Sequence, residues 1–193
     1  MLQIKRSKTE EKLIAACRKG DSTAQRDIYD KYASLMFAVC RRYVEQLDAA
    51  EDILICGFTK AFQKIDQFKG EGSFEGWLRR IMVNESLSHL RKTKSMYVEV
   101  EIEKAEREPD YGQLSSQLEV EDLQKLIDQL PSGYRTVFNL YAIEGFSHKE
   151  ISERLKISEN TSKSQLSRAR RHLQKLLIEA ENYINDKALS HEG

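Results

Sequence analysis

The stretch SHKEISERLKISENTSKSQLSRARRHL, residues 147–173, decides the fold. Its first four residues, Ser147 to Glu150, have the spacing of a capping box, in which a hydroxyl accepts from the amide three residues on and a carboxylate reaches back. That predicts a short helix ending near Leu155, with Ile151 and Leu155 on one face. A turn through Lys156, Ile157 and Ser158 leads into a long helix from about Glu159 or Asn160 past Leu177, on which Leu166, Ala169 and Leu173 recur at three and four. Two short apolar stripes joined by so brief a turn have the layout of a helix-turn-helix. The second stripe leaves Thr161, Lys163, Ser164, Ser167, Arg168, Arg170 and Arg171 on the outside. The N-terminal hydroxyls and Lys163 suit base edges in a major groove, and the arginines further along suit phosphates. A solvated cationic face is the plainer alternative, but no acid stands between Glu159 and Glu179, which favours DNA.

Working outward toward the N-terminus, residues 120–130 read as a helix stopped by Pro131, and residues 132–143 as one stopped near Gly145. The segment from about Lys94 to Gln117 carries Glu99, Glu101, Glu103, Glu106, Glu108 and Asp110 with Pro109 and Gly112, and no sustained apolar stripe. It reads as an acidic linker, either a self-repelling spacer or a nucleic-acid mimic lying in a basic channel. Four helices precede it. The first runs near Thr9 to Arg18, and the second opens after Gly20 with Asp21 or Ser22 as its cap and repeats Ile28, Tyr32, Leu35, Met36, Val39, Cys40 and Tyr43. Residues 48–51 have capping-box spacing for a third helix that buries Ile53, Leu54, Phe58, Ala61, Phe62 and Ile65. A break at residues 68–73 precedes a fourth, Phe74 to about Lys92. No strand period is convincing, so the class is all-α.

Charge is distributed in blocks that the balanced total conceals. Residues 1–95 hold 18 bases against 13 acids, residues 96–131 hold 3 against 10, residues 132–178 hold 9 against 4, and the last fifteen hold 1 against 4. No apolar run approaches the ~20 residues of a membrane span, and residues 1–12 lack the apolar core of a signal peptide, so a soluble cytoplasmic protein is expected. Cys17, Cys40 and Cys56 are odd in number and widely spaced, which argues against a disulfide framework, and Cys56 reads as a small half-buried hydrophobe rather than a reactive thiol. The four histidines, His89, His148, His172 and His191, show no metal-binding spacing and read as ordinary surface residues; no cofactor or metal is expected. Dinucleotide, Walker and nucleophile-elbow motifs are missing, so an enzyme is the weakest reading.

The run from Leu130 to Arg171, and above all TSKSQLSRAR at 161–170, resembles the region 4 domain of extracytoplasmic-function (group 4) sigma factors of the sigma-70 family. Two positions depart from that pattern: Lys156 stands where the family commonly has a turn glycine, and Ser162 where it commonly has an apolar residue. An independent resemblance, to sigma region 2, is carried by Arg18 to Asp21, Tyr29, Tyr32, Ala50 to Asp52 and FEGWLRRIMVN at 74–84. In place of the usual polar pair after the AED string the chain has Ile55, Cys56 and Gly57, a less polar surface than the family's.

The resemblance implies a sigma factor with four parts: a region 2-like domain at 1–94, an acidic linker at 95–118, a region 4-like helix-turn-helix domain at 119–180 and a C-terminal tail at 181–193. The first domain would grip the beta-prime clamp of core RNA polymerase through Asp48, Glu51 and Asp52, and capture unpaired minus-10 bases with Lys69, Arg79, Arg80, Asn84, Ser88 and Arg91. Physically, a Gly70/Gly72 loop can admit a backbone or flipped base beside positive charge; Phe74 and Trp77, at helical spacing, read as core rather than stacking platforms. The last domain would dock on the beta-subunit flap and place its long helix in the minus-35 element of promoter DNA. An anti-sigma protein that occludes the polymerase-binding faces is the usual partner. The alternatives are a LuxR-type helix-turn-helix regulator, which residues 145–163 also resemble, and a helical interaction module such as an anti-sigma partner; the string at 74–84 and Ser167 to Arg170 favour the sigma reading.

Overall fold

The computed structural model describes the backbone over residues 2–93 and 120–191 and side chains over residues 10–93 and 123–180; the acidic linker lies outside the described residues. Among those residues the chain forms α-helices and no strand, in two compact units divided after Thr93. The expected all-α class with two helical domains is what the chain adopts.

The first unit contains α1 (Leu2–Arg18), α2 (Ser22–Arg41), α3 (Leu47–Gln63), a single 3-10 turn (Ile65–Gln67) and α4 (Phe74–Lys92). Helix α1 begins well before Thr9, because its first turns carry no apolar period from which a start could be read. Gly20 ends it with a φ of 80°, and its amide donates to the Cys17 carbonyl. Asp21 then caps α2, accepting from the amides of Thr23 and Ala24 at 2.9 and 3.2 Å, an arrangement that contributes about 1 kcal/mol. Glu10 of α1 accepts from both Lys31 and Tyr32 of α2, which joins the two helices side chain to side chain.

The α2 stripe packs as the period predicts except at its edge, where Leu35 stays 38% exposed. Two corrections concern α3. It opens at Leu47 behind an extended Gln46 whose side chain makes no cap bond, so residues 48–51 form no capping box. Asp48 instead sits in the first turn, where its charge favours the amide end of the helix. Gly57 does more than lower helix propensity: a Cβ there would stand 2.2 Å from Met82 Sδ, so the missing side chain is what lets α3 and α4 approach.

The second unit runs α5 (Val120–Asp128), α6 (Ser132–Phe138), α7 (His148–Leu155) and α8 (Glu159–His191). Leu126, Ile127 and Leu130 pack on Ala169 and Leu173, with Tyr134, Phe138, Leu176 and Leu177 against them. Helix α5 stops at Asp128, two residues before the expected Leu130. The Arg135 guanidinium, buried in α6, donates to the freed Asp128 carbonyl at 2.7 Å. The helix expected over 132–143 changes character at Asn139: residues Asn139–Ile143 are wound as a π-helix, with the Glu144 amide donating to the Asn139 carbonyl at 2.9 Å. Helix α8 continues without a break through residue 180, where a C-terminal tail was expected to begin.

Candidate nucleic-acid interface

The helix-turn-helix is built as its sequence requires. Ser147 and Glu150 form the expected capping box at the head of α7. Its other end closes at Lys156, which adopts a left-handed conformation (φ 56°, ψ 43°) and donates its amide to the Ser152 carbonyl. A side chain occupies the place that favours glycine, at a cost of about 1 kcal/mol. Ser158 then accepts from the Thr161 amide at 2.9 Å and starts α8. Ile151, Leu155, Leu166, Ala169 and Leu173 are buried, so both helices turn the expected stripes inward.

With roughly 100° of turn per residue, the buried side of α8 leaves an opposite face carrying Lys163, Ser164, Ser167 and Arg171. Lys163 and Arg171 are exposed there; Ser164 and Ser167 are half-buried. Thr161 and Arg168 flank this face on one side, and the Thr161 hydroxyl is already bonded to Ser158 at 2.8 Å. Arg170 flanks it on the other, its guanidinium 5.8 Å from the centre of the Tyr141 ring. The structure therefore gathers four of the seven residues on one face and sets three at its margins.

Sequence reasoning missed the polar joint behind this face. Ser162 is fully buried, and its hydroxyl lies 2.9 Å from Nδ1 of His148. The His148 ring stacks on Tyr141, with centroids 4.7 Å apart and planes 23° apart. Burial, with Lys163 and Arg170 nearby, holds the imidazole below its ordinary pKa; Glu159 acts in the opposite sense. His148 is thus no ordinary surface histidine. The only signal for it in the sequence was Ser162 itself, a hydroxyl at an inward position that needs a partner.

In the first unit, Trp77, Arg80, Ile81, Asn84, Ser88 and Arg91 fall on one side of α4 by the same turn of roughly 100° per residue. Arg80, Asn84 and Arg91 are exposed and Ser88 half-buried. Arg79, expected to act with these residues, lies toward the packed side of the helix, half-buried with its Nε buried. At the head of α4, Ser73 accepts from the Gly76 amide at 3.0 Å. Gly70 and Gly72 hold φ of 81° and 86° with open space around them, so conformation rather than crowding selects glycine; Lys69 beside them is exposed. Phe74 is core, as expected. Trp77 is half-buried upon it, in a ring cluster where Phe68, Phe74 and Trp77 lie 5.3 to 5.7 Å apart.

Asp48, Glu51 and Asp52 are all exposed on α3, and Ile55, 58% exposed, shares their side of the helix. Cys56 is exposed as well, against the expectation of a half-buried hydrophobe, because its register turns it away from α2 and α4. Cys17 and Cys40 are buried, and burial pushes the Cys40 thiol up to about 11. Among the described residues no three His, Cys, Asp or Glu side chains converge as a metal site. No described helix is long and apolar enough to cross a membrane.

A helical unit with a polar, cationic helix face, and a second unit whose helix-turn-helix presents another, define a DNA-binding protein of the transcription class. Comparison narrows this. The family Sigma-70 region 2 matches residues 28–96, and the family Sigma-70, region 4 matches residues 120–173. The ECF RNA polymerase sigma factor SigW of Bacillus subtilis is 34% identical over 178 residues, spanning 86% of this chain and 95% of that protein. The RNA polymerase sigma-H factor of Pseudomonas aeruginosa is 27% identical over 181 residues, spanning 87% and 93%. A solved chain, from the co-crystal structure of the sigma factor RpoE in complex with the anti-sigma factor NepR from Bartonella quintana, is 26% identical with a TM-score of 0.47, covering 79% of this chain and 97% of that one. The chain belongs to the ECF RNA polymerase sigma factors of the sigma-70 family. Its function is that of a sigma factor, and the LuxR-type alternative falls because it accounts for neither the match at 28–96 nor the length shared with these relatives.

Proposed function

We propose a division of labour along the chain. Residues 1–94 bind core polymerase and the minus-10 element, residues 95–118 are the tether, residues 119–180 read the minus-35 element, and residues 181–193 follow as the C-terminal tail. The observation that carries this is the single outward face of each of two helices: Arg80, Asn84, Ser88 and Arg91 on α4, and Lys163, Ser164, Ser167 and Arg171 on α8.

On α4, the Asn84 amide reads the edge of an unpaired base while Arg80, Arg91 and Lys69 neutralise backbone phosphates. The loop at Gly70 and Gly72 gives that strand room. Helix α8 lies in the major groove of the duplex, with Lys163 and Ser164 toward base edges and Arg168, Arg170 and Arg171 toward phosphates. Asp48, Glu51 and Asp52 of α3 meet the beta-prime clamp, and the second unit docks on the beta flap. The same α3 face is what an anti-sigma protein would cover. The polymerase performs the chemistry and this chain contributes none; it works in the bacterial cytoplasm, a placement supported by its partner, core RNA polymerase.

Run-off transcription with purified core polymerase on a genomic fragment library tests the reading. Initiation at a defined set of fragments, dependent on this chain, is the expected result. Failure to associate with core polymerase and to confer initiation on any fragment would overturn it.

A further inference from the structure

We propose that His148 is a DNA-phosphate contact that takes up a proton as DNA binds, an inference that rests on the placement of α8 in the major groove. The residue opens α7 and is half-buried where α7, the π-helical turn and α8 meet. Two other elements hold its ring. Tyr141, from the π-helical turn, covers one face at 4.7 Å. Ser162, from α8, engages Nδ1 at 2.9 Å. On α7 itself, Ser147 and Glu150 are bonded to one another in the capping box. The charged groups acting on the ring all come from α8: Lys163 and Arg170 disfavour a positive charge and Glu159 favours one, while Tyr141 contributes a neutral face. With Nδ1 turned toward a buried hydroxyl, Nε2 lies on the opposite edge of the ring.

This is a cation cluster with a neutral imidazole in it, and an anion changes its balance. A phosphodiester settling against Lys163, Arg170 and the ring offsets both cations and favours the imidazolium. Nδ1–H then donates to Ser162 Oγ, and Nε2, protonated from solvent, donates to a phosphate oxygen as a charge-assisted bond. No bond of the DNA breaks, and up to one proton leaves the buffer for each duplex bound, the most between the free-state and bound-state pKa. The sign follows from linkage. The bound-state pKa lies above the free-state value, which is itself depressed, so affinity rises as pH falls through the bound-state value and levels off below the free one. Because a phosphate contact carries no sequence information, the effect belongs to any duplex.

The test uses the full chain and a fluorescently labelled random-sequence duplex at low salt, titrated between about pH 6 and pH 8, where histidine changes charge. Wild-type affinity is expected to rise roughly three- to ten-fold toward the acidic end, and the slope of log affinity against log salt to steepen by about 0.9, the value of one phosphate contact. His148→Gln removes both changes. An NMR titration of the wild-type His148 ring, with and without duplex, gives a reading that needs no variant: its pKa moves up when DNA is present. An unmoved ring, or a pH dependence that persists in His148→Gln, overturns the proposal while leaving α8 in the groove. No duplex binding at any pH removes the placement of α8 as well.

Discussion

Lys156 holds a left-handed backbone that costs a side chain about 1 kcal/mol and glycine almost nothing. Lys156→Gly should therefore stabilise the second unit by about 0.5 kcal/mol, the strain of about 1 kcal/mol less about 0.5 kcal/mol for the extra entropy of glycine in the unfolded chain. Urea unfolding would show it as a higher midpoint at unchanged slope, and an unchanged midpoint would mean that the turn stores no strain. Gly57 is the opposite case. Alanine there gains about 1 kcal/mol of helix propensity, but its Cβ would stand 2.2 Å from Sδ of Met82, a fully buried side chain that would have to shift within the core. Overpacking costs about 1–3 kcal/mol, so Gly57→Ala should give a net loss of stability, read from the same urea curves. These two residues also mark what can be read from sequence. Lys156 was visible as a departure from a turn glycine, because turn chemistry is local. Gly57 was visible only as a weak helix former, because the atom it makes room for lies 25 residues further along the chain.

At the level of elements, periodicity found every helix whose apolar stripe lands on a partner, and α4 was bounded correctly at both ends. It failed where the backbone departs from a single α period: at the π-helical turn of Asn139–Ile143, and at Leu47, where α3 opens without a side-chain cap. Sorting side chains by helix face also divides the candidate site residues more finely than composition could. Arg79 and Arg80 are adjacent in sequence yet lie roughly 100° apart around α4, and only Arg80 shares a side with Asn84. On this geometry Asn84→Ala should impair duplex opening more than closed-complex binding, and permanganate footprints like those of wild type would exclude the role. On α8, Lys163 stands on the outward face, so Lys163→Ala should weaken promoter binding by about 1–3 kcal/mol if it loses a base contact. Promoter-dependent transcription at the wild-type level in that variant would count against the orientation of the helix.

For the molecule as a whole, the question is why the two faces proposed to read DNA, each a modest one, would be carried on one chain. Each offers few base contacts, and a short recognition face held mostly by phosphates binds weakly and with strong salt dependence. Tethering makes the second engagement intramolecular, at an effective concentration set by the length and stiffness of the linker, so that joint occupancy exceeds what either unit achieves alone. The acidic residues between Glu99 and Asp110 suit such a tether because like charges along a linker repel one another. A protease site placed within residues 95–118, cut after the intact chain has folded, separates linkage from everything else. Cleavage should leave helical content unchanged and abolish most promoter-dependent run-off product at micromolar protein. Activity should return as the concentration of the cut units approaches the effective concentration the tether had supplied. Full activity after cutting, at the concentrations that saturate the intact chain, would show that core polymerase alone holds the two units in register and that the tether serves some other end.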